Sequence, residues 1–212
     1  MTTFVSFESC LRPKGAPEFV AFSLKKNERV KFFNRASLWR WASVEFDPLA
    51  VSLRLNEQVF TSTYGKFAIP VAYETNVSDC LVFFEKGINE DVRSEIISYG
   101  EKNGSCIEFI GRQFLDGRQV ESVNYLNMLS YIVKRRDSLT NRNLDRGLRI
   151  VRDNARTVQD AIRALNLDFA DRAAALFFEM VRRGSINVPD IKTTKIYGQM
   201  RFEIRGDAHE PR

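Results

Sequence analysis

The chain is poor in the residues that most metal and nucleophile chemistry needs. It has one histidine, His209, set in a polar C-terminal stretch, which argues against catalysis or metal binding that depends on imidazole. Its three cysteines, Cys10, Cys80 and Cys106, show no CxxC spacing. That argues against a zinc site or a disulfide framework and is read as buried thiols in a reducing cytoplasm. No apolar run approaches the ~20 residues of a membrane span, and the N-terminus lacks a signal-peptide pattern. A soluble, cytoplasmic protein without membrane contact is therefore expected.

What the chain does have is aromatic and basic. At 212 residues it is long enough for one sizeable domain, or for a core domain with a small appendage. Many of its 17 phenylalanines fall in short strand-like runs such as Phe4-Val5-Ser6-Phe7 and Val82-Phe83-Phe84, which points to a strand-containing core. Lys and Arg outnumber Asp and Glu by 32 to 27, giving a net charge of +5. The excess is concentrated in Lys134-Arg135-Arg136 and then Arg142, Arg146, Arg149, Arg152 and Arg156, so a polyanionic partner, nucleic acid, is expected.

Along the chain, Phe4–Glu8, Phe19–Leu24 and Arg29–Phe33 look like strands, forming an N-terminal extension over residues 1–33 that is expected to lie along the main sheet. Asn34 is a candidate N-cap for a helix to Val44, stopped before Phe46-Asp47-Pro48. Strands follow at Val51–Leu55, extended by Gln58–Thr61, at Phe67–Tyr73 and at Cys80–Glu85, the last apolar enough to be covered on both faces. A helix from Glu90 to Lys102, ended by Asn103-Gly104, leads to a strand at Cys106–Ile110. The order predicts an α/β (α+β) core, αβββαβ, within a domain over 34–137.

The next domain, 138–206, reads as helical. After an amphipathic helix at Val120–Val133 comes an Arg-rich one at Asn143–Arg152, with Leu144, Leu148 and Val151 inward. Thr157 and Asp160 form a capping-box variant that opens a helix ending near Asn166. Phe169–Arg183 reads as one long helix closed by Gly184. Ser185–Val188 and Gln199–Ile204 then bracket a basic turn. Helices followed by a two-stranded ribbon fit a winged helix; residues 207–212 form a tail.

Glu45-Phe46-Asp47-Pro48-Leu49-Ala50-Val51, Tyr64-Gly65-Lys66-Phe67-Ala68-Ile69-Pro70-Val71 and the strand Leu81–Lys86 resemble the TnsA endonuclease family of transposition proteins. The resemblance covers residues 30 to 205. It implies a restriction-endonuclease-like PD-(D/E)XK core with a C-terminal winged-helix domain, and other transposition proteins as partners. It also implies a degenerate site. Ser37 stands where the family's first helix presents a glutamate, Pro70-Val71 where it has Pro-Asp, and Phe84 two positions before the lysine. Only Lys86 keeps its place.

Hydrolysis with Mg²⁺ needs oxygen ligands in octahedral geometry, which valine and phenylalanine cannot supply. A metal site is therefore not expected, unless Glu74, Asp79 or Glu85 takes over beside Lys86. Adjacent strand residues face opposite ways, so Glu85 and Lys86 are expected to share a pocket only across a bulge. The expected function is DNA binding on an inactive nuclease-like scaffold. Phosphate contacts are assigned to Arg142, Arg146, Arg149, Lys192 and Lys195, and base readout to Arg172 on the C-terminal helix. The alternatives are a Mg²⁺-dependent endonuclease using Lys86, Asp79 and Glu85, and an adaptor subunit of a transposition assembly.

Overall fold

The computed structural model describes residues 3–8 and 12–205; Cys10, His209 and the tail 207–212 lie outside the described residues. The fold is mixed α/β and forms two compact units, Met1–Glu45 with Leu49–Gly117, and Phe46–Pro48 with Arg118–Arg212. Among the described residues no helix is long and apolar enough to cross a membrane.

The first unit is built on a five-stranded sheet. In chain order come β1 (Phe4–Phe7), β2 (Phe19–Ser23), β3 (Glu28–Phe32), α1 (Arg35–Glu45), β4 (Ser52–Ser62), β5 (Gly65–Glu74), β6 (Asp79–Phe84), α2 (Glu90–Asn103) and β7 (Cys106–Ile110). The sheet order is β1-β4-β5-β6-β7, antiparallel except for the parallel pair β6–β7. Short turns join β4, β5 and β6 into a meander. The helical crossover α2 returns the chain so that β7 runs alongside β6 in the same direction.

Only part of the N-terminal extension joins this sheet. β1 pairs with β4, whereas β2 and β3 form a hairpin of their own, turned through Asn27 at φ 55°. The hairpin is tied to α1 instead: buried Glu45 accepts from Ser23 Oγ at 2.9 Å and from the Lys25 amide at 2.8 Å.

Ile69, Ala72, Leu81 and Phe83 cluster with Val92 and Ile96 of α2. Fully buried Trp41 of α1 packs on Phe32, with ring centroids 5.1 Å apart. The helix ends follow the capping residues. Asn34 Oδ1 accepts from the Ser37 amide and Asn89 Oδ1 from that of Val92, while Gly104 at φ 64° closes α2.

α3 (Arg112–Arg135) starts directly after β7, eight residues ahead of the expected Val120. Gly117 disfavours a helix by about 1 kcal/mol, which the rest of this 24-residue element absorbs. In the second unit α4 (Asn141–Asn154) and α5 (Val158–Phe169) are capped by Thr140 and Thr157. The expected single helix over 169–183 is broken: Ala170 takes φ 47°, a 3₁₀ turn spans Ala170–Arg172, and α6 runs Ala173–Arg182. The ribbon is shorter than expected, with β8 (Ile186–Asn187) opposite β9 (Glu203–Ile204) and a further bridge from Thr157 to Arg201.

α6 is apolar around most of its circumference, yet it carries the buried Glu179. Arg182 grips that carboxylate through two bonds of 2.7 Å, and Arg183 adds a third of 2.7 Å while reaching Asn141 at 2.8 Å. Burial alone would raise the Glu179 pKa, but the two guanidiniums outweigh it and hold it below the usual carboxylate range. A depressed folded-state pKa stabilises above the unfolded-state value and loses that stabilisation as pH falls through the folded one. Urea titrations at stepped pH should show Glu179→Gln costing about 1–3 kcal/mol at pH 7, with the difference from wild type shrinking below about pH 5. A pH-independent difference would show that the ion pairs do not act in this way.

Candidate nucleic-acid interface

Two basic surfaces stand out, one in each unit. In the first, a cleft of about 680 Å³ opens where β6 and β7 end side by side. Asn34 to Ala36 at the start of α1 line it, with Phe84, Glu85 and Lys86, and Ile110 to Arg112 and Leu115 at the start of α3. Its cations are Arg35, Lys86 and Arg112. Neither α1 nor α3 has an acidic residue in its first turn, so both helix N-termini add positive potential, opposed at α3 by the Glu85 carboxylate beside Gly111.

Glu85 and Lys86 border this cleft together, against the expectation from strand alternation. The alternation stops at Phe84. The Glu85 amide still bonds Ile110 O, and the chain then turns through Gly87 at φ 88°, with the Ile88 amide bonding Glu85 O. The Glu85 carboxylate lies over Gly111, where any Cβ would overlap it, and stands 3.7 Å from Arg93. Arg93 in turn covers the Phe109 ring at 4.1 Å.

The rest of the expected nuclease site is dispersed or apolar. Val71 is fully buried opposite Val82, Phe84 is half-buried and apolar, and Ser37 is buried with an unpartnered hydroxyl. Asp79 begins β6, roughly 17 Å along the strand from its end. There it faces Glu74, and Arg54 pairs with both. The structure thus brings Glu85 to Lys86 and keeps Asp79 and Glu74 away. Among the described residues no group of three or more His, Cys, Asp or Glu is placed to hold a metal ion.

On the α1 face of the sheet, Arg40 donates to Glu108 at 2.8 Å and to the Tyr73 hydroxyl at 2.7 Å. Burial pushes the Tyr73 hydroxyl pKa up despite the neighbouring guanidinium. Cys80 and Cys106, register partners on the parallel strands, lie in the same cluster, and partial desolvation by the neighbouring strand, with a bond to Cys80, raises the Cys106 pKa. Cys80 is buried as expected, whereas Cys106 is exposed, because it opens an edge strand.

In the second unit, Arg142, Arg146 and Arg149 follow one stripe of α4 and line a groove of about 600 Å³ with Asp153, Asn154 and Asp168. The opposite stripe, Leu144, Gly147 and Val151, is buried. Gly147 lets α4 approach closely, since a Cβ there would crowd Leu176 and Leu165. Arg146 pairs with Asp168 at 3.1 Å and covers the Phe169 ring at 5.6 Å. Arg142 and Arg149 are exposed and form no ion pair among the described residues.

Lys192 and Lys195 sit exposed on the loop between β8 and β9. Arg172 is half-buried in the 3₁₀ turn and donates to Phe169 O at 3.3 Å. Seven of the ten α6 residues are buried, leaving that helix no continuous face for base edges. Arg35 and Arg112 were not anticipated from the sequence; the available signal was a cation just inside a helix start, after Asn34 and Gly111 respectively. No protein-family model and no curated protein sequence matches the chain.

The Arg40 cluster fixes α1, and with it one wall of the first cleft. Arg40→Leu should lower stability by about 2 kcal/mol in urea unfolding, because it strips Glu108 and Tyr73 of their shared donor. Arg40→Lys should restore only part of this, lacking the guanidinium fork. Wild-type stability in the leucine variant would mean that the cluster does not hold the helix.

Proposed function

We propose that the protein binds DNA within a transposon or other mobile element, on a nuclease-like scaffold that does not cleave. The observation that carries the reading is the α4 stripe: three arginines share one open groove, and two of them form no ion pair among the described residues. A merely solvated helix face would be expected to alternate charge signs and close its own pairs. Guanidiniums left open on one face suit phosphate oxygens.

The order α1-β4-β5-β6-α2-β7, with its parallel last pair, supports the restriction-endonuclease-like assignment. Three helices, a short ribbon and the Thr157–Arg201 bridge support a winged-helix arrangement. The mobile-element setting, and other transposition proteins as partners, rest on the resemblance to the TnsA family. The burial of α6 favours phosphate contacts over major-groove reading by that helix, with Arg172 outside the recognition role.

The Lys86 cleft argues against hydrolysis. Among the described residues Glu85 is the only carboxylate lining it, and Mg²⁺ requires a set of hard oxygen ligands. Arg35, Lys86 and Arg112 can still attract a phosphate without a metal.

Fluorescence anisotropy on duplex DNA should show affinity falling linearly with salt on logarithmic axes. Arg142→Ala with Arg149→Ala should lower the slope by about 2 and weaken binding to all sequences alike. Absence of binding at low salt would overturn the proposal. Supercoiled plasmid with Mg²⁺ or Mn²⁺ should remain intact, and nicking abolished by Lys86→Ala would instead establish the endonuclease alternative.

A further inference from the structure

We infer that Asn124, buried in α3, is a positioning residue that presets the β8–β9 loop as a phosphate-contact element; this rests on the DNA-binding reading. The loop runs from Val188 to Phe202 between strands of two residues each. So short a ladder cannot hold so long a connection, and ordering free loop residues costs on the order of 1 kcal/mol each. The loop must be held from elsewhere.

Asn124 supplies the central anchor. It is fully buried, and its Nδ2 donates to Ile191 O and to Thr194 O, both at 2.8 Å, while its Oδ1 accepts from the Ile196 amide at 2.9 Å. The two carbonyls it holds are those directly preceding Lys192 and Lys195. One side-chain amide therefore fixes the backbone entry to both lysines. The orientation follows from chemistry: a flipped amide would set its oxygen against two carbonyls and its NH₂ against an N–H.

The remaining anchors lie on either side. The Thr193 and Thr194 amides turn back onto Asp190 O at 3.2 and 2.9 Å. Gly198 O and Met200 O accept from the first amides of α5 at 2.8 and 2.9 Å. Ile191 and Met200 are buried beneath.

Outward, Lys192, Thr193, Thr194, Lys195 and Tyr197 are exposed, and neither lysine forms an ion pair among the described residues. A held backbone with unpaired ammonium groups, hydroxyls and a phenol presents the donors that a nucleic-acid backbone accepts. Preorganisation removes the ordering cost from the binding step.

The test joins limited trypsin digestion to a double-mutant cycle on duplex DNA, with circular dichroism as the check of folding. In Asn124→Leu, cleavage after Lys192 or Lys195 should accelerate by about tenfold or more, since the peptide bonds gain access when the clamp is lost. Lys192→Ala with Lys195→Ala should reduce the salt slope by about 2. Asn124→Leu should weaken binding in the wild-type background and add nothing in the lysine-free one.

Unchanged tryptic cleavage, or losses that add in full, would overturn the positioning role. The lysine variant alters only surface side chains and so decides the loop's part even if Asn124→Leu fails to fold; unaltered affinity in it overturns the inference. That result, with binding still sensitive to Arg142 and Arg149, leaves the DNA-binding reading standing. Absence of wild-type binding removes both.

Discussion

The parallel pairing of β6 with β7 is the constraint on which the first unit depends. Antiparallel neighbours place the start of one strand beside the end of the next. Here α2 carries the chain back across the sheet, so both strands end on the same side. The segments that follow them, Glu85-Lys86 and Gly111-Arg112, therefore emerge together, and α1 presents its own first turn to the same opening. A cleft at the carboxyl ends of parallel strands, walled by helix N-termini, is a direct outcome of that topology. The aromatic and aliphatic packing on α2, through Leu81, Phe83, Val92 and Ile96, keeps the crossover in place.

The second unit meets a different constraint, since its elements are short and its ribbon is minimal. Cohesion comes from α6, whose Leu176, Phe177 and Met180 are nearly solvent-free, and from two buried polar side chains, Glu179 and Asn124, that are fully answered. Glu179 is met by two arginines and Asn124 by three backbone groups. Unanswered, each would destabilise by about 1–3 kcal/mol or more, so their satisfaction specifies which packing forms. The cations left over then gather on the outer stripe of α4 and on the loop beyond β8.

Much of the first unit was legible because its signals are local and periodic. Alternation in β4, the apolar run of β6, and the caps Asn34 and Gly104 each act through neighbours in sequence. The Arg142, Arg146 and Arg149 spacing of four and three likewise puts a stripe on one helix face. What failed to show depends on tertiary context. Nothing in Phe169-Ala170-Asp171-Arg172 marks a break, because alanine favours helix and its φ of 47° is imposed by packing. The start of α3 was masked by Gly117, and the shared position of Glu85 and Lys86 by a strand that ends one residue sooner than its composition suggests. Asn124 looked like an ordinary polar residue among Val123, Leu126 and Leu129, since its three partners lie some 70 positions on.

On the proposed reading, the same energetics account for a nuclease-like order that lacks nuclease ligands. Val71 is fully buried in the sheet, where a valine side chain contributes about 1.5–3 kcal/mol. An ionised carboxylate at such a position costs several kcal/mol unless a metal or partner neutralises it. Where no metal is held, the apolar residue is thus the more stable choice, and the backbone order remains because packing, not the metal, maintains it. Lys86 imposes no comparable penalty, since its ammonium is exposed beyond the end of β6. On the proposed reading, binding then depends on surface cations of α4 and the β8–β9 loop, whose charge can change without disturbing the buried faces behind them.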